Sequence, residues 1–151
     1  LEPLRSYAVP GGIAHALAFS PAGDLLASGG ELGEVLLIDV ASRRVVGTLE
    51  TGPHWVGAIA FSPDGHAVAA KGRDLVVHET ATRVLIFSSP ETGPKGLAYS
   101  PDGRFLAYGD EKGVVRVVET AHYAEIRAFE RAQREPVNVL AFTPDGRSVL
   151  A

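Results

Sequence analysis

The chain has 151 residues, 46% of them hydrophobic and 21% charged, with a formal net charge of −4. This is the composition of a folded domain, and the lack of cysteine excludes disulfides and thiolate metal sites. The cations are scattered, as at Arg43-Arg44, and no apolar run approaches the roughly 20 residues of a membrane-spanning helix, so no nucleic-acid or membrane partner is expected.

In chain order, Leu4 to Val9 reads as an outer strand. An inner strand follows and ends in Ala18-Phe19-Ser20-Pro21-Ala22-Gly23. Then come Leu25-Leu26-Ala27-Ser28, a Gly-rich turn at 29–33, Val35-Leu36-Leu37-Ile38, a polar turn at Ala41-Ser42-Arg43, and Val45 to Leu49. The six-residue phrase returns as Ala60-Phe61-Ser62-Pro63-Asp64-Gly65, Ala98-Tyr99-Ser100-Pro101-Asp102-Gly103 and Ala141-Phe142-Thr143-Pro144-Asp145-Gly146. Its aromatic member recurs at intervals of 42, 38 and 43 residues. After the second copy lie Ala67-Val68-Ala69, Leu75-Val76-Val77 and Val84 to Phe87. After the third lie Phe105 to Tyr108, Val114 to Val118 and Glu125 to Phe129.

Pro presets φ for the second position of a tight turn, Asp suits the third, and Gly accepts the left-handed conformation that follows. The preceding Ser or Thr is placed to hydrogen-bond back into the turn. Each copy is therefore a strand that ends in a sharp hairpin. The flanking β-branched runs read as further strands, and no stretch has a helical period. A period near forty residues with four strands is that of a propeller blade. The expected fold is all-β, a β-propeller built of four-stranded antiparallel blades, with about three and a half blades in residues 1–151. The expected blades are approximately 13–49, 55–88 and 95–129, with flanking part-blades at 1–10 and 137–151. With no methionine, even at position 1, the chain reads as part of a longer one.

The Phe-Ser-Pro-Asp-Gly phrase, followed by Leu-Ala-Ser-Gly and a Gly before the third strand, resembles the WD-repeat family. The Trp-Asp pair of that family appears as Ile38-Asp39, His78-Glu79 and Val118-Glu119. The Asp before the third strand is replaced by Leu32 and Lys112, and the Gly-His pair has only Gly52-Pro53-His54 near it. The family's buried hydrogen-bonded tetrad is therefore expected to be missing, and apolar packing to hold the blades.

His15, His54, His66, His78 and His122 show no metal-ligand spacing, and the repeated Asp and Ser residues are explained by their turns. No catalytic, cofactor-binding or metal site is expected, and no cofactor. Trp55 stands at the junction of an outer and an inner strand, and tryptophan is enriched where proteins bind one another. The charged connection Glu130 to Glu135 lies on the same rim. Trp55, His54, Lys95, Arg131 and Arg134 are the candidate partner-binding residues. The resemblance implies a non-enzymatic protein–protein interaction or sensing module within a larger multi-blade or multi-domain bacterial protein, in the cytoplasm. Its partner would be another protein, the remaining blades of a parent chain, or a second copy. The alternatives are a propeller-based enzyme, a hydrolase or oxidoreductase, whose site lies in blades not present, or an excised or engineered propeller fragment that self-assembles.

Overall fold

The computed structural model describes residues 12–90, 96–130 and 135–151 and holds only strands and turns there. The strands are β1 (Ala14–Phe19), β2 (Leu25–Gly30), β3 (Glu34–Asp39), β4 (Val45–Glu50), β5 (Ala58–Phe61), β6 (Ala67–Lys71), β7 (Leu75–Glu79), β8 (Leu85–Ser89), β9 (Leu97–Tyr99), β10 (Phe105–Gly109), β11 (Val115–Glu119), β12 (Glu125–Phe129), β13 (Ala141–Phe142) and β14 (Val149–Leu150). They form three antiparallel four-stranded meanders, β1–β4, β5–β8 and β9–β12, and a two-stranded sheet, β13–β14. The fold is thus all-β, about three and a half propeller blades. The strand expected at Leu4 to Val9 lies outside the described residues.

The repeated phrase folds as its chemistry requires. The glycine N–H donates to the carbonyl of the Ser or Thr three residues back, at 2.8–2.9 Å in all four copies, and the glycines have φ between +68° and +76°. The hydroxyl works twice. Ser100 Oγ donates to Asp102 at 2.6 Å and accepts the Phe105 N–H at 2.9 Å. Ser62 and Thr143 do the same with Asp64 and Asp145. In the first copy Ala22 replaces the aspartate, and Ser20 finds Asp24 instead, at 2.6 Å. These hydroxyl bonds, with a backbone N–H two residues on, hold the carboxyls of Asp64, Asp102 and Asp145 below the ordinary carboxylate range.

The phrase also joins neighbouring blades. A Cβ on Gly65 would lie 3.6 Å from Pro21 Cδ, one on Gly103 3.5 Å from Pro63 Cδ, and one on Gly146 3.8 Å from Pro101 Cδ. Each turn's proline thus rests on the next turn's glycine.

Apolar clusters fill the spaces between sheets. Leu37, Leu49, Val56, Phe61 and Val76 are buried between the first two, and Leu75, Val77, Leu106 and Tyr108 between the next two. Val115, Val117, Val137 and Leu140 lie between the third sheet and β13–β14. The alternation of small and large apolar residues in an inner strand, as in Ala58-Ile59-Ala60-Phe61, predicts that its large side chains pack between sheets; Phe61 does, but Leu17 and Phe19 are 58% and 60% exposed, which corrects the expectation for the first strand. They lie on the face of the first sheet that points away from the second.

The outer strands β4, β8 and β12 each carry a β-bulge at the same place. Val46, Ile86 and Ile126 are the extra residues, between paired positions, and all three are exposed. A bulge with an unpaired residue twists the edge and blunts its capacity to pair with a further strand.

Candidate functional site

The connection from β4 to β5 is held tightly to the rim. Thr51 N–H donates to Gly33 O, Val56 N–H to Gly30 O and Gly57 N–H to Lys71 O, at 2.8–3.1 Å. The connection runs so close to the two hairpin turns beside it that a Cβ on Gly33 would meet Gly52 O at 1.8 Å, and one on Gly72 would meet Trp55 O at 2.1 Å. Backbone contact of this kind fixes the direction in which Trp55 leaves the chain.

Trp55 is the one tryptophan of the chain and is 43% exposed. Its ring meets His15 edge-on, centroids 6.3 Å apart at 69°, and His15 Nε2 lies 3.8 Å from Glu31 Oε1. On the other side Arg73 Nη1 lies 3.3 Å from His54 Nε2. Arginine only donates, so His54 Nε2 accepts and the proton of a neutral ring sits on Nδ1. The corner therefore joins an aromatic face, a carboxylate, an imidazole Nδ1–H donor and a guanidinium with donors to spare. These groups can anchor an apolar side chain and hydrogen-bond a polypeptide around it.

Of the five residues singled out by sequence, Trp55 and His54 come together here. Lys95, Arg131 and Arg134 lie outside the described residues. Among the described residues, no group of three or more His, Asp or Glu side chains is placed to hold a metal ion.

Sequence reasoning missed His15, Glu31 and Arg73, because each comes from a different turn or strand. It also missed two buried polar groups. Asp110 accepts the Lys112 and Val114 N–H groups at 2.8 and 3.0 Å, ordering the turn before β11, two residues ahead of the place where the family's turn aspartate was sought. Lys71 is fully buried with its Nζ 5.8 Å from the Tyr108 ring centroid. It stands opposite Leu75, where the neighbouring sheets put Gly29 opposite Val35 and Gly109 opposite Val115.

Comparison with known proteins agrees with this architecture. Residues 2–39 match the WD domain, G-beta repeat model. A WD repeat-containing protein of Schistosoma mansoni, SL1-17, is 30% identical over 131 residues, 83% of this chain and 42% of that protein. The rice small ribosomal subunit protein RACK1y is 31% identical over 116 residues, 70% of this chain and 34% of its own length. A chain of Kuenenia stuttgartiensis hydrazine synthase superposes with a TM-score of 0.80, over 95% of this chain and 44% of that one, at 18% identity.

The chain is a divergent WD-repeat propeller.

It spans between about a third and two fifths of the length of these curated WD-repeat relatives. Its divergence is local. The turns of the WD repeat are kept, while Ile38, His78 and Val118 fill the place of the family's tryptophan as buried packing residues. No helix among the described residues is long and apolar enough to cross a membrane.

Proposed function

We propose that this WD-repeat chain is part of a non-enzymatic protein-interaction or sensing module, and that the rim around Trp55 is its contact surface. The half-exposed Trp55, fixed by the backbone and flanked by His15, Glu31, His54 and Arg73, carries this reading. Lys95, Arg131 and Arg134 belong to the same rim by sequence. In this reading the partner is a protein, and the chain is one portion of a larger propeller, bacterial and cytoplasmic. Residues 13–49, 55–88 and 95–129 are its complete blades, and 1–10 and 137–151 belong to flanking ones. The relatives support a binding role: the rice protein is named for an assembly, the small ribosomal subunit. The likeness to hydrazine synthase concerns the fold alone.

The test compares partners captured by the wild-type chain, by Trp55→Ala, and by Arg104→Ala on the opposite rim. Selective loss with Trp55→Ala is expected. The same partners retained by both variants would remove this rim from consideration.

A further inference from the structure

The rim around Trp55 carries more chemistry than the fold asks of it. A Cβ on Gly30 would meet Ile13 O at 2.2 Å, as one on Gly72 would meet Trp55 O at 2.1 Å. The residues that follow these glycines, Glu31 and Arg73, therefore occupy the same place at the tips of successive turns. In the third sheet that place follows Asp110, whose carbonyl accepts the Val137 N–H as Gly30 O accepts that of Val56, and it holds Glu111. The turn tip thus takes either sign of charge without altering the sheet. The same contacts make Ile13 and Pro136 the equivalents of Trp55. An isoleucine and a proline serve the connection elsewhere, so its packing does not require an indole.

The β4–β5 connection runs between the turns of Glu31 and Arg73, so the order along the rim is carboxylate, indole, guanidinium. Both charged residues are exposed, and each is steadied by a histidine. His15 stands edge-on to the indole, 3.8 Å from Glu31 Oε1. His54 accepts from Arg73 Nη1 at 3.3 Å, which uses one of the five N–H donors of a guanidinium. An extended polypeptide presents alternate side chains on one face, about 6.6 Å apart. The Trp55 and His15 rings are 6.3 Å apart, with Glu31 just beyond. Three alternate side chains of one strand therefore span the indole and the charges on either side of it.

We propose that this rim recognises an extended polypeptide segment with an apolar side chain on Trp55, a lysine or arginine two residues away toward Glu31, and a carboxylate two residues away toward Arg73. The inference rests on the rim being the contact surface and adds what the partner must carry there. A segment with unlike charges meets two attractions. One with like charges meets an attraction and a repulsion, so the rim selects by rejection as well as by contact.

The test titrates the 151-residue chain at low ionic strength with acetylated, amidated pentapeptides built as X-Ala-Leu-Ala-X. Their ends are Lys and Asp in either order, Lys at both, or Asp at both. Trp55 is the one tryptophan of the chain, so its fluorescence reads binding at this point. The better of the two mixed peptides is expected to bind about fivefold more tightly than either like-charged one, and the gap narrows as salt is added. In Glu31→Lys the peptide with two Asp becomes the tightest, and in Arg73→Glu the one with two Lys. Far-UV circular dichroism checks the fold of both variants. Equal affinity of all the peptides, or a like-charged peptide binding best to the wild-type chain, overturns the charge order. An unchanged ranking in both variants overturns its assignment to Glu31 and Arg73. No saturable change with any peptide overturns recognition of such a segment, whereas the contact surface itself fails only if Trp55→Ala retains the captured partners.

Discussion

Replacing Gly109 with alanine is expected to destabilise the chain, although alanine in a strand normally does the opposite. The new Cβ would stand 2.3 Å from Val137 Cβ and 2.4 Å from its Cγ1. Val137 is fully buried and cannot retreat. Its N–H donates to Asp110 O at 3.1 Å and its carbonyl accepts the Gly96 N–H at 2.9 Å. Overpacking of this kind costs about 1–3 kcal/mol, more than the roughly 0.4–1 kcal/mol gained from a less flexible unfolded chain. Val137→Ala alone removes two buried methyl groups and costs about 2 kcal/mol. In the double variant the contacts of the new Cβ with Val137 Cγ1 and Cγ2, at 2.4 and 3.0 Å, are gone and only that with the Cβ remains, so the combined loss is smaller than the sum by about 1 kcal/mol. Urea unfolding of the four species at 25 °C, followed by far-UV circular dichroism, measures this coupling. Additivity within about 0.5 kcal/mol refutes the contact and the packing account built on it.

Two further outcomes follow from buried polar groups. His78 is buried on the second sheet where the others place Ile38 and Val118, and its Nδ1 makes no hydrogen bond. Burial pushes its ring below the usual 6.5, against the pull of Glu50. The unfolded chain takes up the proton first, so stability is complete above pH 6.5 and falls as pH drops from there to the lowered native value. His78→Val is expected to flatten that fall, and unchanged urea midpoints at pH 7.5 and 5.5 relative to wild type would sink the idea. Ser100→Ala removes both bonds of a buried hydroxyl and is expected to cost about 1–2 kcal/mol. It also lets the Asp102 carboxyl titrate upward toward its ordinary range, visible by side-chain carboxyl NMR; a carboxyl that stays put contradicts the assigned cause.

Much of the fold was legible because the turn phrase is local chemistry. Ser, Pro, Asp and Gly act within a six-residue span, so φ preference and hydrogen bonding can be read directly from the letters. The strands followed from β-branched runs between such turns. The bulges at Val46, Ile86 and Ile126 were not legible, because a bulge is a property of pairing and leaves no mark on one strand. The exposure of Leu17 and Phe19 was hidden for a related reason. Burial depends on what stands opposite, and the alternation in β1 is the same as in β5. Trp55 could be named in advance because of its residue type and its place at a strand junction. Its neighbours could not, since His15, Glu31 and Arg73 are brought to it by the stacking of two sheets. The left-handed φ of Arg83 and Tyr123, +65° and +54°, went unmarked because glycine is the residue that ordinarily announces that conformation.

The resting of each proline on the next turn's glycine bears on how such chains grow. Every copy of the phrase carries both halves of the joint, a plug for the blade after it and a socket for the blade before it. A blade duplicated in tandem arrives ready to fit either neighbour at that rim. Two other contacts are not interchangeable in this way: Arg83 covers Gly47, where a Cβ would meet its Nε at 2.3 Å, and Tyr123 stacks on Phe87, centroids 4.9 Å apart. The uniform joint allows blades to be added, while each of these pairs fits only its own junction.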